Sequence, residues 1–213
     1  MTHGQIVILN GAPRSGKTSI AKAIQDTFEG VWINLGVDTY MRMIPARYQP
    51  GIGLRPGGEA PDLEPVIATL YGALYASIAA HSRLGVPVVA DVGHHEGYTR
   101  PLALLARCAG ILEGLPTLFV GVRCPLQTIL SRREQTGYPA RLPDGGVLPA
   151  VLRWQNAVHA HGRYDMTLDT GAMTPQACAD AIALRLALGP PGTAFAAFCT
   201  RGDAPIEPEE SDV

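Results

Sequence analysis

The sequence predicts a doubly wound, mainly parallel α/β sheet of five strands with helices on both faces. Short apolar runs alternate along the chain with segments of helical periodicity. The first of these runs also leads through a glycine-rich loop straight into a helix.

Gln5 to Asn10 reads as the first strand, an apolar run fit for burial on both faces that stops at Asn10-Gly11. From Lys17 the spacing turns helical, with Ile20, Ile24 and Phe28 four apart and Gly30 as a stop. Val31 to Leu35 reads as the second strand, Val86 to Asp91 as the third, Thr117 to Val122 as the fourth and Met166 to Asp169 as the fifth. A long helix is expected from Glu64 to Leu84, its stripe of Ile67, Leu70, Tyr71, Leu74, Tyr75 and Ile78 belonging to the core. Further helices are expected over 101–109, 126–136, 148–160 and 175–188. Right-handed crossovers would bring Asn10, Leu35, Asp91 and Val122 to one edge, where such sheets hold ligands.

Two segments break the alternation. Pro45 to Asp62 and Gly137 to Gly146 are rich in Gly and Pro and read as loops over that edge. Residues 1–188 then form one domain with a lid around 132–146. From Gly189 the chain carries Pro190-Pro191 and ends acidic, which reads as a mobile tail over 189–213.

Composition narrows the function classes. The 213 residues carry a formal net charge of −2 with 17% charged residues, so no basic footprint for nucleic acid or an anionic membrane is present. No basic leader precedes the first strand and no uninterrupted apolar segment approaches membrane-spanning length, so a cytoplasmic location is expected. Cys108, Cys124, Cys178 and Cys199 are widely spaced and read as reduced thiols.

Residues Gly11-Ala12-Pro13-Arg14-Ser15-Gly16-Lys17-Thr18 match G-x-x-x-x-G-K-[ST]. In that pattern backbone N–H groups cradle phosphate oxygens, the lysine reaches the β and γ phosphates, and the hydroxyl ligates Mg²⁺. Lys17 and Lys22 are the only lysines, so a lysine in the required slot is hard to assign to chance. ATP with Mg²⁺ is the expected ligand, GTP the alternative. No N-K-x-D or D-x-x-G segment is present, which argues against a switch GTPase.

Asp91, ending an apolar strand, is the candidate second Mg²⁺ group beside Thr18. Asp38, directly after the second strand, is the candidate base for an acceptor hydroxyl; capping of a helix by Asp38-Thr39 is the competing reading. Arg133, in Ser131-Arg132-Arg133-Glu134, and Arg141 beyond it are candidate lid cations. Asp38, Tyr40, Met41, His94, His95 and Arg141 are candidate acceptor contacts, with core packing as the alternative for the apolar ones. A small-molecule kinase fits these parts best. A nucleotide-sugar or central-metabolite kinase and a non-catalytic nucleotide-binding module are the competing readings.

The chain resembles the chloramphenicol phosphotransferase family of P-loop kinases. The resemblance rests on Ile8-Leu9-Asn10-Gly11 before the phosphate loop, Gly36-Val37-Asp38-Thr39, Asp91-Val92, Val120-Gly121-Val122-Arg123-Cys124, Arg133-Glu134, Val158-His159, Tyr164-Asp165 and Asp169-Thr170. It implies ATP-dependent phosphorylation of a hydroxyl on a small molecule, with Asp38 as base and Arg133 over the phosphates. It further implies a role in antibiotic self-protection and leaves a homo-oligomer open. Family members often carry paired acids where this chain has Ala90-Asp91, and a second arginine soon after the lid helix where it has Gly137 to Arg141. Arg14 within the loop and the insert Pro45 to Asp62 are further departures, so the acceptor is open between chloramphenicol and another hydroxylated antibiotic or metabolite.

Overall fold

In a computed structural model the described residues are 2–50, 53–189 and 191–201. Five parallel strands stand in the order β2-β3-β1-β4-β5: β1 (Ile6–Asn10), β2 (Ile33–Gly36), β3 (Val88–Val92), β4 (Thr117–Arg123) and β5 (Met166–Asp169). β1 lies at the centre, paired with β3 on one side and β4 on the other, and every residue in it is buried. The run without alternation in Ile6-Val7-Ile8-Leu9 reflects that placement. Ile6 and Ile8 face one core, with Val88, Ala90 and Phe119, while Val7 and Leu9 face the other, with Val89, Val120 and Leu168.

Helices close both faces. α1 (Lys17–Thr27) and α7 (Pro175–Ala187) cover the second core through Ile20, Ala21, Ile24, Cys178 and Ile182. α3 (Glu64–Arg83) and α4 (Leu104–Ile111) cover the first through Ile67, Tyr71, Leu74, Ile78, Leu104 and Cys108. Residues 61–83 have the length and composition of a membrane span, with mean hydropathy 1.3, contrary to the expectation that no segment reaches that length. Their apolar stripe packs on the sheet, as a core helix does. α5 (Leu126–Gln135) and α6 (Pro149–Ala157) form a smaller layer over Ala12, Cys124 and Val158.

β2 starts two residues later than the sequence suggests. It is an edge strand, and Val31 stays 72% exposed. Its end is fixed by a close approach: Gly36 pairs with Asp91 in the ladder, and a Cβ at Gly36 would run into the Asp91 carboxylate. Past Gly36 the chain turns into α2 (Val37–Met43), a seven-residue helix too short to show periodicity in the sequence.

The insert 45–62 is a loop with short 3-10 turns at Ala46–Tyr48 and Pro61–Leu63. Buried Leu54 and the bond from Gly57 N–H to the Gly97 carbonyl (2.8 Å) fasten it. The segment after α7 departs from the mobile tail expected from Gly189. Thr193 and Ala194 donate their N–H groups to Asp165 Oδ1 at 2.7 and 2.9 Å, while Asp165 Oδ2 accepts from Phe119 N–H at 2.8 Å. A 3-10 helix, Ala196–Arg201, follows. Phe195, 1% exposed, stacks on Tyr75 with centroids 5.8 Å apart and meets Phe119 edge to face at 5.0 Å. Residues 190 and 202–213 lie outside the described residues.

Phe195→Ala is expected to destabilise the fold by about 3–5 kcal/mol, the usual loss for a fully buried phenylalanine. A urea titration measures it. A loss below about 1 kcal/mol would mean that the segment 191–201 is only loosely docked.

Candidate active site

The loop between β1 and α1 curls over the C-terminal edge of the central strand. Gly16 takes φ 98°, a left-handed conformation that glycine reaches at no steric cost, and α1 starts on the next residue. The amides at the start of α1 therefore face the loop's concave side, which favours an anion. The loop is held from outside: the Thr170 hydroxyl donates to the Ser15 carbonyl (2.6 Å), and Arg132 reaches the Arg14 carbonyl (3.3 Å) and the Thr170 carbonyl (2.8 Å).

Lys17 lies under the loop, its Nζ donating to the carbonyls of Gly11 (2.8 Å) and Ala12 (2.9 Å). Burial lowers its pKa to about 8, against the opposing pull of the Asp91 and Asp38 carboxylates. A phosphate chain in the loop would supply the negative charge that this ammonium lacks.

Thr18 Oγ1 donates to Asp91 Oδ2 at 2.7 Å, so the hydroxyl and carboxylate expected to hold Mg²⁺ meet at one point. Asp91 is 8% exposed. One carboxylate and one hydroxyl suit an ion that keeps most of its shell as water and phosphate oxygens. Asp38 stands in the first turn of α2, exposed on the cleft and without a hydrogen bond among the described residues.

These groups line a cleft of about 610 Å³. Its wall on the side of β1, β4 and β5 carries the loop with Arg14, Lys17 and Thr18, together with Arg132, Arg133, Tyr138, Thr170 and Met173. The wall on the side of β2 and β3 carries Val37, Asp38, Met41, Gly53, Tyr71, Val92, Gly93 and Trp154. The cations thus stand on one side and an apolar, aromatic surface with two carboxylates, Asp38 and Asp91, on the other.

Four of the expected acceptor contacts lie outside this lining, and each makes other contacts. Tyr40 donates its hydroxyl to the Ala73 carbonyl at 3.0 Å. His95, 4% exposed, fastens the insert: its Nε2 lies 2.9 Å from the Leu54 carbonyl and its Nδ1 accepts from Gly97 N–H at 3.1 Å. His94, 2% exposed, lies 2.7 Å from the Tyr75 hydroxyl through Nε2. Arg141 pairs with Glu134 at 3.2 Å and donates to the Gly145 carbonyl, both within the lid. Met41 does line the cleft, and so does Arg133, whose Nε donates to the Pro139 carbonyl at 2.8 Å.

Beneath the loop lies a polar cluster that sequence reading misses. Asn10, fully buried at the end of β1, accepts from His94 N–H at 2.7 Å through its side-chain oxygen. Its Nδ2 reaches the Tyr164 hydroxyl (2.8 Å), the Val158 carbonyl (3.0 Å) and His161 Nε2 (3.2 Å). Tyr164 in turn meets His159 Nδ1 at 2.7 Å. Burial lowers the His94 pKa to about 3; burial together with the Arg123 charge lowers His159 and His161 to about 4. The imidazoles are therefore neutral at pH 7 and act through hydrogen bonds. The signals available were a lone amide ending an otherwise apolar strand and the Val158-His159 and Tyr164-Asp165 pairs of the family resemblance, none of which names its partner.

Comparison with known proteins gives the family and the fold. The sequence profile of the family described as chloramphenicol phosphotransferase-like protein matches residues 4–187. A Mycobacterium tuberculosis (strain ATCC 25618 / H37Rv) protein named "Putative O-phosphotransferase Rv2636" is 28% identical over 187 residues, covering 81% of this chain and 77% of its own length. Among solved structures, the M. tuberculosis APS kinase CysC in complex with AMPPNP and APS superposes with a TM-score of 0.61 at 16% identity, covering 88% of this chain and 99% of that one. Shikimate kinase from Acinetobacter baumannii gives 0.57 at 15%, with 87% and 93% covered. The Deinococcus radiodurans tunicamycin resistance protein gives 0.60 at 19%, with 86% and 95% covered. At these identities the structures establish the fold, that of P-loop kinases.

The chain has two lysines, so ¹³C NMR of lysine Cε can follow Lys17 by the resonance lost in Lys17→Met. That resonance is expected to titrate near pH 8. Because the folded pKa lies below the ordinary value of 10.5, the unfolded chain binds more protons between about pH 8 and 10.5. Lys17 therefore makes stability rise with pH across that window, and Lys17→Met removes the rise. A Lys17 midpoint above pH 10 would show that the ammonium is solvated.

Proposed function

Since the chain belongs to the chloramphenicol phosphotransferase-like family and is a phosphotransferase acting on a small molecule, we propose that it moves the γ-phosphate of ATP to a hydroxyl of an uncharged molecule with an apolar body, an antibiotic first among the candidates. The division of the cleft carries this reading, with Lys17, Thr18 and the arginines on one wall and Asp38 with Met41, Tyr71 and Trp154 on the other.

In the proposed reaction the loop amides and Lys17 bind the phosphate chain. Thr18 and Asp91 would hold Mg²⁺, which when bound would supply positive charge against the phosphates. The apolar wall orients the acceptor so that its hydroxyl faces the γ-phosphorus. Asp38 takes the hydroxyl proton as the new P–O bond forms and the bond to the β-phosphate breaks, giving a phosphate ester and ADP. Arg133 would lie over the transferring group.

Acceptors that carry a carboxylate, sulfate or phosphate need a cation beside them. Among the described residues no cation lines the cleft on the β2–β3 side; Arg153 lies outside the lining, bonded to the Pro56 carbonyl and paired with Glu59. That observation favours a neutral acceptor over a nucleotide-sugar or an anionic metabolite.

The test is incubation with ATP and Mg²⁺ against a panel of hydroxylated antibiotics and anionic metabolites, followed by mass spectrometry for the gain of one phosphoryl group. Transfer to neutral, apolar acceptors is expected. Transfer to anionic acceptors alone would sink the acceptor assignment. On an identified acceptor, Asp38→Asn is expected to lower kcat by about 10²–10⁴-fold while ATP binding persists; unchanged kcat would remove Asp38 from the base role.

A further inference from the structure

Arg14 and Tyr138 face each other across the mouth of the cleft, one from the phosphate loop and the other from the turn after α5. Arg14 holds φ 69°, in the left-handed region where a side chain is strained and glycine is not. Strain of this kind persists where the surroundings fix it, and it gathers at functional sites. Here the guanidinium carbon lies 4.0 Å from the centre of the Tyr138 ring, a cation–π contact that fixes the side chain's direction.

The charge so placed has no counter-charge. The Arg14 side chain makes no hydrogen bond or ion pair among the described residues, and neither do the terminal nitrogens of Arg133. The two guanidinium groups are close enough that desolvation, and after it the Arg14 charge, lowers the Arg133 pKa. Nearby acids are engaged elsewhere: Glu134 with Arg141, and Asp91 with Thr18. Arg132 is turned to the back of the loop. Two neighbouring cations over a loop that already concentrates N–H groups and an ammonium repel one another until a polyanion lies between them.

We propose that the Arg14 side chain, aimed by the Tyr138 ring, binds the terminal phosphates of the nucleotide and acts with Arg133 on the transferring phosphoryl group, with Tyr138 as a positioning residue. The proposal rests on the reading of the loop as a triphosphate site. During transfer negative charge spreads over the equatorial phosphoryl oxygens, and a planar guanidinium can engage two of them at once. Lysine keeps the charge but loses the fork and the flat stack on tyrosine.

The experiment compares ATP and ADP affinities of the full chain with Mg²⁺, by calorimetry, for the wild type, Arg14→Gly, Arg14→Lys, Tyr138→Leu and Tyr138→Phe. Arg14→Gly relieves the left-handed backbone, so lost affinity in that variant belongs to the side chain. It is expected to weaken ATP about 10-fold and ADP about 2-fold or less, a differential set by loss of a charge-assisted bond to the last phosphate. Arg14→Lys is expected to recover only part of the loss. Tyr138→Leu should follow Arg14→Gly, and Tyr138→Phe, which keeps the ring face, should restore the wild-type ratio. An unchanged ratio of ATP to ADP affinity in both Arg14→Gly and Tyr138→Leu overturns the proposal. If Arg14→Gly fails to fold, Tyr138→Leu, outside the loop, decides alone. Absence of triphosphate binding by the wild type would instead overturn the underlying reading of the loop, and this proposal with it.

Discussion

The side chain of Asn10 ties together three stretches that the chain order keeps apart: the end of β1, the segment leaving β3 at His94, and the turn from Val158 to Tyr164. An amide with no exposure is costly unless its donors and acceptor are matched, because no water replaces a missing partner. Here the oxygen accepts a backbone N–H and the nitrogen has acceptors on the far turn. The position lies between two diverging connections, since the chain leaves β1 for β2 on one side of the sheet and leaves the neighbouring β3 for β4 on the other, and Gly11 follows at once. The phosphate loop therefore starts from a point fixed from both sides. Because the histidines of this cluster are neutral at pH 7, they add no positive charge beneath the loop, and the cations of the site remain those that line the cleft.

How much could be read beforehand follows from the range of each signal. The strands, their parallel order of faces and the glycine loop are local patterns, and the structure agrees with them to within a few residues at each boundary. β2 was read two residues early because Val31 is apolar yet exposed on an edge. α2 is seven residues long and shows no period. Lys17, Thr18 and Asp91 were legible as a motif, and the ladder that sets Gly36 against Asp91 brings Asp38 to the same cleft. What could not be read depends on distant partners: Asn10 with Tyr164, His95 with Leu54, and Glu134 with Arg141. A histidine after a strand end resembles a ligand-contacting residue until its partner in the insert is known.

The lid shows the same limit for charge. Arg132, Arg133 and Arg141 all read as lid cations, yet Arg132 is bonded to the back of the loop where it lines the cleft, the terminal nitrogens of Arg133 are left to the cleft, and Arg141 is paired with the lid's own carboxylate. Helix spacing accounts for the first two, since adjacent residues project about 100° apart. Arg141 is drawn away because the short antiparallel bridge to Val147 closes a turn on itself. Neighbouring arginines in a chain are thus not equivalent cations.

The segment 191–201 extends the reach of these arguments beyond the residues matched by the family profile. Its Phe195 lies flat on Tyr75; the Tyr75 hydroxyl meets His94, and the His94 N–H meets Asn10. On the other side Phe195 meets Phe119, which packs on Tyr164, the second partner of Asn10. Both contact routes end at the same amide under the phosphate loop. Close-packed interiors transmit displacement, because a ring cannot shift without finding new volume. The docking of this segment therefore belongs to the support of the site: it packs on the aromatic layer of Tyr75 and Tyr164, of which Tyr164 bonds the Asn10 amide directly and Tyr75 bonds the imidazole of His94, whose N–H meets that amide.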